Sequence, residues 1–296
     1  MENNCVLFQP TPAREVEVAI DCHAHVFTRD LPLADSRRYT PDYDATVSQY
    51  LAMLDATGSR LGVLVQPSFL GTDNSYLIAA LQGVARRLRG IAVVDPDIGL
   101  ERLQMMAAEG VVGIRLNLLG KVDPVLSRPV WRRHLADLAD LGWQVEVQVE
   151  ARRLPNLLPP LLAAGVQVVL DHFGKPSPEL GVDDPGFRYL LTAGASGRLW
   201  VKLSAPYRNG RAGRTIAMAA VPLLKQALGV DHLVWGSDWP HTQFETAVTP
   251  KVARDLLDSW LPDPRERQTV LADAPARLFG FGRSSTAGGH SGSGSA

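Results

Sequence analysis

Residues 16–25 have the sequence Val-Glu-Val-Ala-Ile-Asp-Cys-His-Ala-His, an apolar run that ends in two histidines. Its β-branched residues favour a short strand. Because side chains alternate between the faces of a strand, we expect His23 and His25 on one face and Cys22 and Ala24 on the other. Two adjacent neutral imidazoles can ligate a divalent cation, or can hydrogen-bond and polarise a substrate oxygen. Such a short motif also occurs among ordinary core or surface histidines, so whether these two are functional has to be judged from the rest of the chain.

Seven further runs of this kind follow along the chain, and helical patterns separate them. The eight predicted strands are Val18–His23, Leu61–Gln66, Gly90–Val94, Val112–Asn117, Gln144–Val149, Gln167–Asp171, Leu199–Leu203 and His232–Gly236. Apolar residues at three- and four-residue spacing predict helices over Thr46–Thr57, Asn74–Leu88 and Pro129–Leu141. This alternation predicts an α/β fold, a single-domain (β/α)8 TIM barrel. A doubly wound sheet would instead require a glycine-rich phosphate loop, and the sequence contains no Gly-x-Gly-x-x-Gly.

The predicted barrel spans residues 16–281 of the 296-residue chain, close to the ~250 residues that such barrels typically occupy. Residues 1–15 are interpreted as an N-terminal lead-in. Residues 282–296 are rich in glycine and serine and have little apolar surface to bury, so we predict a flexible tail there.

The composition is that of an ordinary globular protein, with 46% hydrophobic and 21% charged residues. A net charge of -1 provides no field for nucleic acid or for an anionic membrane. The sequence has no apolar stretch long enough to span a bilayer and no signal-peptide pattern, so we predict a cytoplasmic protein. With only Cys5 and Cys22, a disulfide framework is excluded, and we expect Cys22 to be a small core residue. The sequence leaves a homo-oligomer open.

Polar residues follow the predicted strands at their carboxyl ends, where the active face of a barrel lies. They are His23 and His25 at strand one, Ser68 after strand two, Arg115 and Asn117 at strand four, Asp171 and His172 at strand six, Ser204, Tyr207 and Arg208 at strand seven, and Ser237, Asp238 and His241 at strand eight. Chance would distribute such residues over both ends of the strands. The pattern therefore predicts an active site at this face.

These motifs resemble the amidohydrolase superfamily, in particular its 2-pyrone-4,6-dicarboxylate lactonase branch. The superfamily resemblance lies in Asp21-Cys22-His23-Ala24-His25, Asp171-His172 and Gly236-Ser237-Asp238-Trp239-Pro240-His241. The resemblance to the branch lies in Gly71-Thr72-Asp73-Asn74, Arg89-Gly90-Ile91-Ala92-Val93-Val94-Asp95-Pro96, Gly113-Ile114-Arg115-Leu116-Asn117 and Asp171-His172-Phe173-Gly174-Lys175-Pro176. It covers nearly the whole chain, from about Val18 to Phe281.

The resemblance leaves two interpretations of the histidines. Metal-dependent amidohydrolases have a lysine or histidine ligand on strand five, where this chain has Val145-Glu146-Val147-Gln148-Val149-Glu150. A single Zn²⁺ bound by His23, His25, His172 and Asp238 stays conceivable. The lactonase branch works without a metal, which implies no cofactor, with the three histidines polarising the lactone carbonyl and Asp238 as the general base. A buried Asp238 would have its pKa raised toward neutrality.

The resemblance also implies that Arg115 and Arg208 bind a substrate carboxylate, because the planar guanidinium matches a carboxylate with two parallel hydrogen bonds. Further substrate contacts are expected from Tyr39, Ser68, Thr72, Asn117, Lys121, Gln148 and His241. Two of these depart from the lactonase pattern. Lys121 stands where the branch has a second basic residue in the loop after strand four, and Gln148 replaces a strand-five tyrosine. The pyrone dicarboxylate itself should therefore not be assumed as the substrate.

The favoured interpretation is a hydrolase that opens a small anionic lactone, such as 2-pyrone-4,6-dicarboxylate, a muconolactone or a sugar-acid lactone. A sugar-acid lactone isomerase on the same scaffold is the first alternative. A zinc-dependent decarboxylase is the second, and the missing strand-five ligand disfavours it. A catalytically inactive barrel that only binds sugar acids or a partner protein is the third, and the complete set of polar residues argues against it.

Overall fold

Eight parallel strands form one sheet in the order of the sequence, and each pairs with its neighbours along the chain. The strands of this computed structural model, which describes residues 18–282, are β1 Ala19–Ala24, β2 Ser59–Val65, β3 Leu88–Ala92, β4 Val111–Asn117, β5 Gln144–Gln148, β6 Gln167–Leu170, β7 Leu199–Leu203 and β8 Leu233–Trp235. All eight predicted strands are confirmed, and each end agrees to within two residues. The predicted lead-in at 1–15 lies outside the described residues, as does the predicted tail beyond 282.

The sheet closes into a barrel between β1 and the residues that follow β8. Ala24 forms a parallel bridge with Trp239, and the Asp238 amide donates to the His23 carbonyl at 2.8 Å. The buried Asp21 carboxylate strengthens this contact by accepting from the amide of Ser237 at 2.7 Å and from its hydroxyl at 2.6 Å. The fold is therefore a (β/α)8 barrel, as predicted.

Helices cover the outside of the barrel and return the chain to the start of each strand. They are α1 Val47–Ala56, α2 Ser75–Gly83, α3 Leu100–Ala108, α4 Pro129–Asp140, α5 Leu154–Ala163, α6 Pro185–Ala193, α7 Gly213–Leu228, α8 Pro250–Trp260, α9 Pro264–Gln268 and α10 Ala274–Phe279. Helix α1 begins with a capping box formed by Thr46 and Gln49. No helix within residues 18–282 is long and apolar enough to cross a membrane.

The predicted helix Asn74–Leu88 was too long. Helix α2 ends at Gly83, and Val84 has a non-helical φ of -143°. The chain then turns, and the Arg87 carbonyl accepts from the amide of Gly62 on β2 at 2.9 Å. Residues 84–87 thus form the turn that leads into β3, and the contact with β2 outweighs the helical pattern of this segment.

Of three apolar clusters within residues 18–282, the two larger ones fill the barrel and its helical layer. The larger one lies between the strands and the helices and includes Ala24. The smaller one comes from the strands and the C-terminal segment alone, so it fills the barrel interior, and it contains Ile20 and Cys22. Cys22 is a fully buried core residue as predicted. Its predicted position on the same face as Ala24 was wrong, because the β1–β2 pairing shifts register between Asp21 and Ala24.

Candidate active site

Three imidazoles and one carboxylate converge at the carboxyl ends of the strands. The Nε2 atoms of His23, His25 and His172 lie 3.6, 3.9 and 3.9 Å from Oδ1 of Asp238. All four side chains are buried. The structure therefore brings together the four residues that the sequence predicted to be catalytic.

The outer nitrogen of each ring is held by a different partner. His25 Nδ1 lies 2.7 Å from the Val65 carbonyl, and His172 Nδ1 lies 2.8 Å from the Ser204 hydroxyl. His23 Nδ1 lies 3.0 Å from Nζ of Lys202, a buried residue of β7. These contacts orient all three Nε2 atoms toward one point.

The backbone at two of these positions lies in the left-handed region. His172 has a φ of 51° and Asp238 a φ of 60°. Such conformations cost on the order of 1–3 kcal/mol in residues other than glycine, and they cluster at functional sites. The turns that follow β6 and β8 thus direct both side chains toward the barrel axis.

Burial keeps the imidazoles neutral. Desolvation, and for His23 also the nearby Lys202, lowers the pKa of His23 and that of His172 to about 3. The pKa of His25 is also well below its usual value, for the same reason of burial. At neutral pH the three rings therefore act as neutral hydrogen-bonding groups or as ligands.

The predicted upward shift of the Asp238 pKa is wrong. Burial does raise it, but the Arg208 guanidinium opposes burial most strongly, and the pKa of Asp238 lies below its ordinary value. Arg208 Nε donates to Asp238 Oδ2 at 2.7 Å, and the Tyr207 hydroxyl donates to the same oxygen at 2.6 Å. Asp238 is therefore an ionised carboxylate whose Oδ1 faces the histidines.

A pocket opens above this centre. Its wall includes the side chains of Arg38, Tyr39, Ser68, Arg115, Asn117, Gln148, Arg208, Thr242 and Gln243. The predicted substrate contacts Tyr39, Ser68, Arg115, Asn117, Gln148 and Arg208 therefore do meet at one place.

Arg115 is only partly free for a substrate. Its Nε and Nη2 donate to Oδ2 of the buried Asp171 at 3.2 and 3.1 Å, and Nη2 also donates to Gln148 at 2.5 Å. The remaining nitrogen, Nη1, bonds to no group of residues 18–282, and Arg115 is part of the pocket wall. Tyr39 is likewise engaged, since its hydroxyl donates to Glu245 at 3.0 Å.

Three predicted contacts lie elsewhere. Thr72 lines a separate cleft beside Asp95 and Asp97. Lys121 is exposed outside the pocket, and its carbonyl accepts from Arg153 at 2.8 Å. His241 is buried behind Tyr207, whose hydroxyl lies 3.1 Å from its Nδ1.

Two residues of the site, Lys202 and Arg38, were missed by sequence reasoning, and Tyr207 was placed at the active face without a role. Tyr207 bonds to Asp238, Lys202 contacts His23, and Arg38 lines the pocket and donates to Asn117 at 3.2 Å. A lone lysine within the apolar strand 199–203 was a signal for a buried ion pair. Arg38 carried no such signal, because it lies in a long loop beside a second arginine, Arg37.

Comparison with known proteins assigns the chain to a family. A family model described as Amidohydrolase matches residues 20–281. The chain belongs to the amidohydrolase family. It is 31% identical over 272 residues to a 4-sulfomuconolactone hydrolase from Hydrogenophaga intermedia, covering 88% of each chain. It is 30% identical over 274 residues to a 2-pyrone-4,6-dicarboxylate hydrolase from Comamonas testosteroni, covering 88% of this chain and 90% of the other.

A solved structure is similar over the same region. This amidohydrolase is 39% identical to a protein from Acinetobacter baumannii named a probable 2-pyrone-4,6-dicarboxylic acid hydrolase, which was crystallised with citric acid bound. The TM-score is 0.86, and the match covers 89% of this chain and 99% of the other. The resemblance to this branch is thereby confirmed.

The centre of this amidohydrolase has the donor set of a small cation site. Nε2 of His23, Nε2 of His172 and Oδ1 of Asp238 are buried and have no hydrogen-bond partner within residues 18–282. By type and number these atoms, with His25, suit one zinc ion that keeps an open position. They suit equally a water molecule or a carbonyl oxygen held by hydrogen bonds.

Proposed function

We propose that this amidohydrolase hydrolyses small anionic lactones, with Asp238 as the general base for the attacking water. The observation that carries the proposal is the convergence of three neutral imidazoles on Oδ1 of an ionised carboxylate, below a pocket lined by arginines. The names of the relatives support lactones as the substrate class.

Asp238 and the histidines divide the chemistry between them. Oδ1 of Asp238 accepts a proton from water as the oxygen attacks the lactone carbonyl, and an imidazole N–H donates to the oxyanion that forms. Collapse of the tetrahedral intermediate breaks the ring C–O bond, and the proton held by Asp238 passes to the leaving oxygen. A zinc ion, if one binds His23, His25, His172 and Asp238, would supply Lewis-acid polarisation of the same carbonyl.

His25 has a different role from the one that the resemblance implies. A carbonyl oxygen only accepts, so the contact with Val65 requires the proton of His25 to lie on Nδ1. Its Nε2 then carries a lone pair and accepts a hydrogen bond from the attacking water. The donor to the carbonyl has to be another ring.

The charge of the pocket wall supports an anionic substrate. Arg38, Arg115 and Arg208 face the same space, and burial together with the other two arginines lowers the pKa of Arg38. Arg115 is balanced by Asp171, and Arg208 by Asp238. Arg38 forms no ion pair with a residue of the described chain, so its guanidinium is available to a carboxylate or a sulfonate of the substrate.

The direct test is proton release by chelator-treated, metal-assayed protein from a panel of carboxylated lactones, with uncharged lactones of the same ring size as controls. Hydrolysis creates a new acid, whereas isomerisation does not. We expect release from at least one anionic member and little from the uncharged ones. Conversion without proton release would indicate an isomerase, and activity only after added zinc would indicate a metal enzyme.

Arg38→Ala should weaken substrate binding. Loss of a charge-assisted hydrogen bond of ~1.5–3 kcal/mol corresponds to a rise in KM of roughly 10- to 100-fold, with a smaller effect on kcat. Lys121→Ala is the matched control, because it removes a nearby cation that lies outside the pocket. Equal effects of the two substitutions on KM, measured on the best lactone of the panel, would refute the role of Arg38.

A further inference from the structure

A buried lysine lies behind the histidines, out of reach of a substrate. Lys202 on β7 is fully buried and is not part of the pocket wall. Its Nζ lies 3.0 Å from His23 Nδ1, 2.6 Å from Glu146 Oε1 and 3.4 Å from Asp171 Oδ1. An ammonium has three N–H donors, and here it faces one acceptor for each of them.

We propose that Lys202 holds His23 in the tautomer with the proton on Nε2, which directs this N–H toward Oδ1 of Asp238 at the reaction centre and prevents His23 from ligating a metal. Lys202 is a positioning residue in this proposal, since it acts only through His23. The catalytic effect of this N–H rests on the proposed function, whereas the tautomer is a property of the free protein.

The geometry favours this tautomer over the opposite one while Lys202 is in place. An ammonium only donates, so His23 Nδ1 has to accept, and the single proton of a neutral ring then lies on Nε2. A proton on Nδ1 would point toward a positive charge 3.0 Å away. Asp171 Oδ1 lies farther from Nδ1, at 3.3 Å, and also faces Lys202.

The neighbouring ring has the complementary tautomer. The Val65 carbonyl places the proton of His25 on Nδ1 and leaves its Nε2 as an acceptor. The two rings are 5.0 Å apart and almost perpendicular. The reaction centre thus has an N–H donor on one ring beside a lone-pair acceptor for water on the other. A metal site would require a lone pair on both Nε2 atoms.

The tautomer can be measured by nitrogen-15 NMR of histidine-labelled, chelator-treated protein at neutral pH, with the His23 signals assigned from a His23→Gln spectrum. We expect the proton on Nε2 in the wild type. Replacing Lys202 alone would leave buried carboxylates without a counter-charge, so the variant is Lys202→Met with Glu146→Gln, and Glu146→Gln alone is the control. The proton should move to Nδ1, toward Asp171, in the double variant only.

Two further readouts separate positioning from a general structural role. Relative to Glu146→Gln, the double variant should bind Zn²⁺ ~10-fold or more tightly by calorimetry, because His23 Nε2 becomes a ligand. Its kcat should fall at least ~10-fold with little change in KM, because the reaction centre loses an N–H donor beside Asp238. A proton on Nδ1 in the wild type, or the same tautomer in both variants, would overturn the proposal. Neither spectrum needs a substrate, so an absence of lactone hydrolysis would refute the proposed function alone.

Discussion

Asp238→Asn should lower kcat on the order of 10³-fold while the protein stays folded. The amide cannot accept the proton of the attacking water. It preserves the shape of the side chain, and its oxygen can still accept from Tyr207 and from Arg208 where the carboxylate does now. The substrate should therefore still bind, and the loss should appear in kcat far more than in KM.

The measurements are steady-state kinetics on the best lactone of the panel and calorimetric binding of the same lactone to the variant. Asp183→Asn is a matched control, because within residues 18–282 this exposed carboxylate pairs only with Arg188 at the surface. It should change neither kcat nor KM. A kcat of Asp238→Asn within tenfold of the wild type would remove Asp238 from the role of general base.

The barrel could be predicted from the sequence because parallel strands that are covered on both faces have sequences that are short apolar runs. The strand Leu199–Leu203 was predicted to the residue. The same pattern could not reveal the register shift in β1, since a bulge depends on the partner strand. Alternation therefore placed the histidines correctly and Cys22 wrongly.

The catalytic centre was predictable for a similar reason, because His23, His25, His172 and Asp238 all lie at or directly after strand ends. The pocket wall was less predictable, because many of its residues come from loops. A loop has no repeating sequence pattern from which its course could be predicted. Lys121 and Thr72 belong to such loops and lie outside the pocket, whereas Arg38, from the loop after β1, lies in its wall. Strand position thus predicts the reacting groups, and the groups that select the substrate require the structure.

The pKa of Asp238 depended on contacts that the sequence does not show. Burial alone would raise this pKa. The opposing charge comes from Arg208, which lies in another loop and whose Nε is 2.7 Å from Oδ2 of Asp238. Because Asp238 is ionised and His23 and His172 have a pKa of about 3, the wild-type kcat/KM should show no limb from Asp238 or from these histidines between pH 5 and pH 8. An unperturbed catalytic imidazole would instead titrate at ~6.5.

Arg208→Gln should give the pH profile an acid limb. With the nearest opposing charge removed, burial dominates and the pKa of Asp238 rises. The base works only when ionised, so kcat/KM should fall as the pH drops through this raised pKa and should recover at higher pH. At neutral pH, kcat/KM should already be lower by roughly 10- to 100-fold, because a charged contact to the substrate is lost.

The control for this change in the shape of the pH profile is Arg38→Ala, since Arg38 bonds to Asn117 and not to Asp238. It should lower kcat/KM at every pH without adding a limb. Profiles of the wild type and both variants from pH 4 to pH 9 therefore separate the two arginines, one that binds substrate and one that also sets the ionisation of the base. An unchanged profile shape in Arg208→Gln would mean that the histidines alone keep Asp238 ionised.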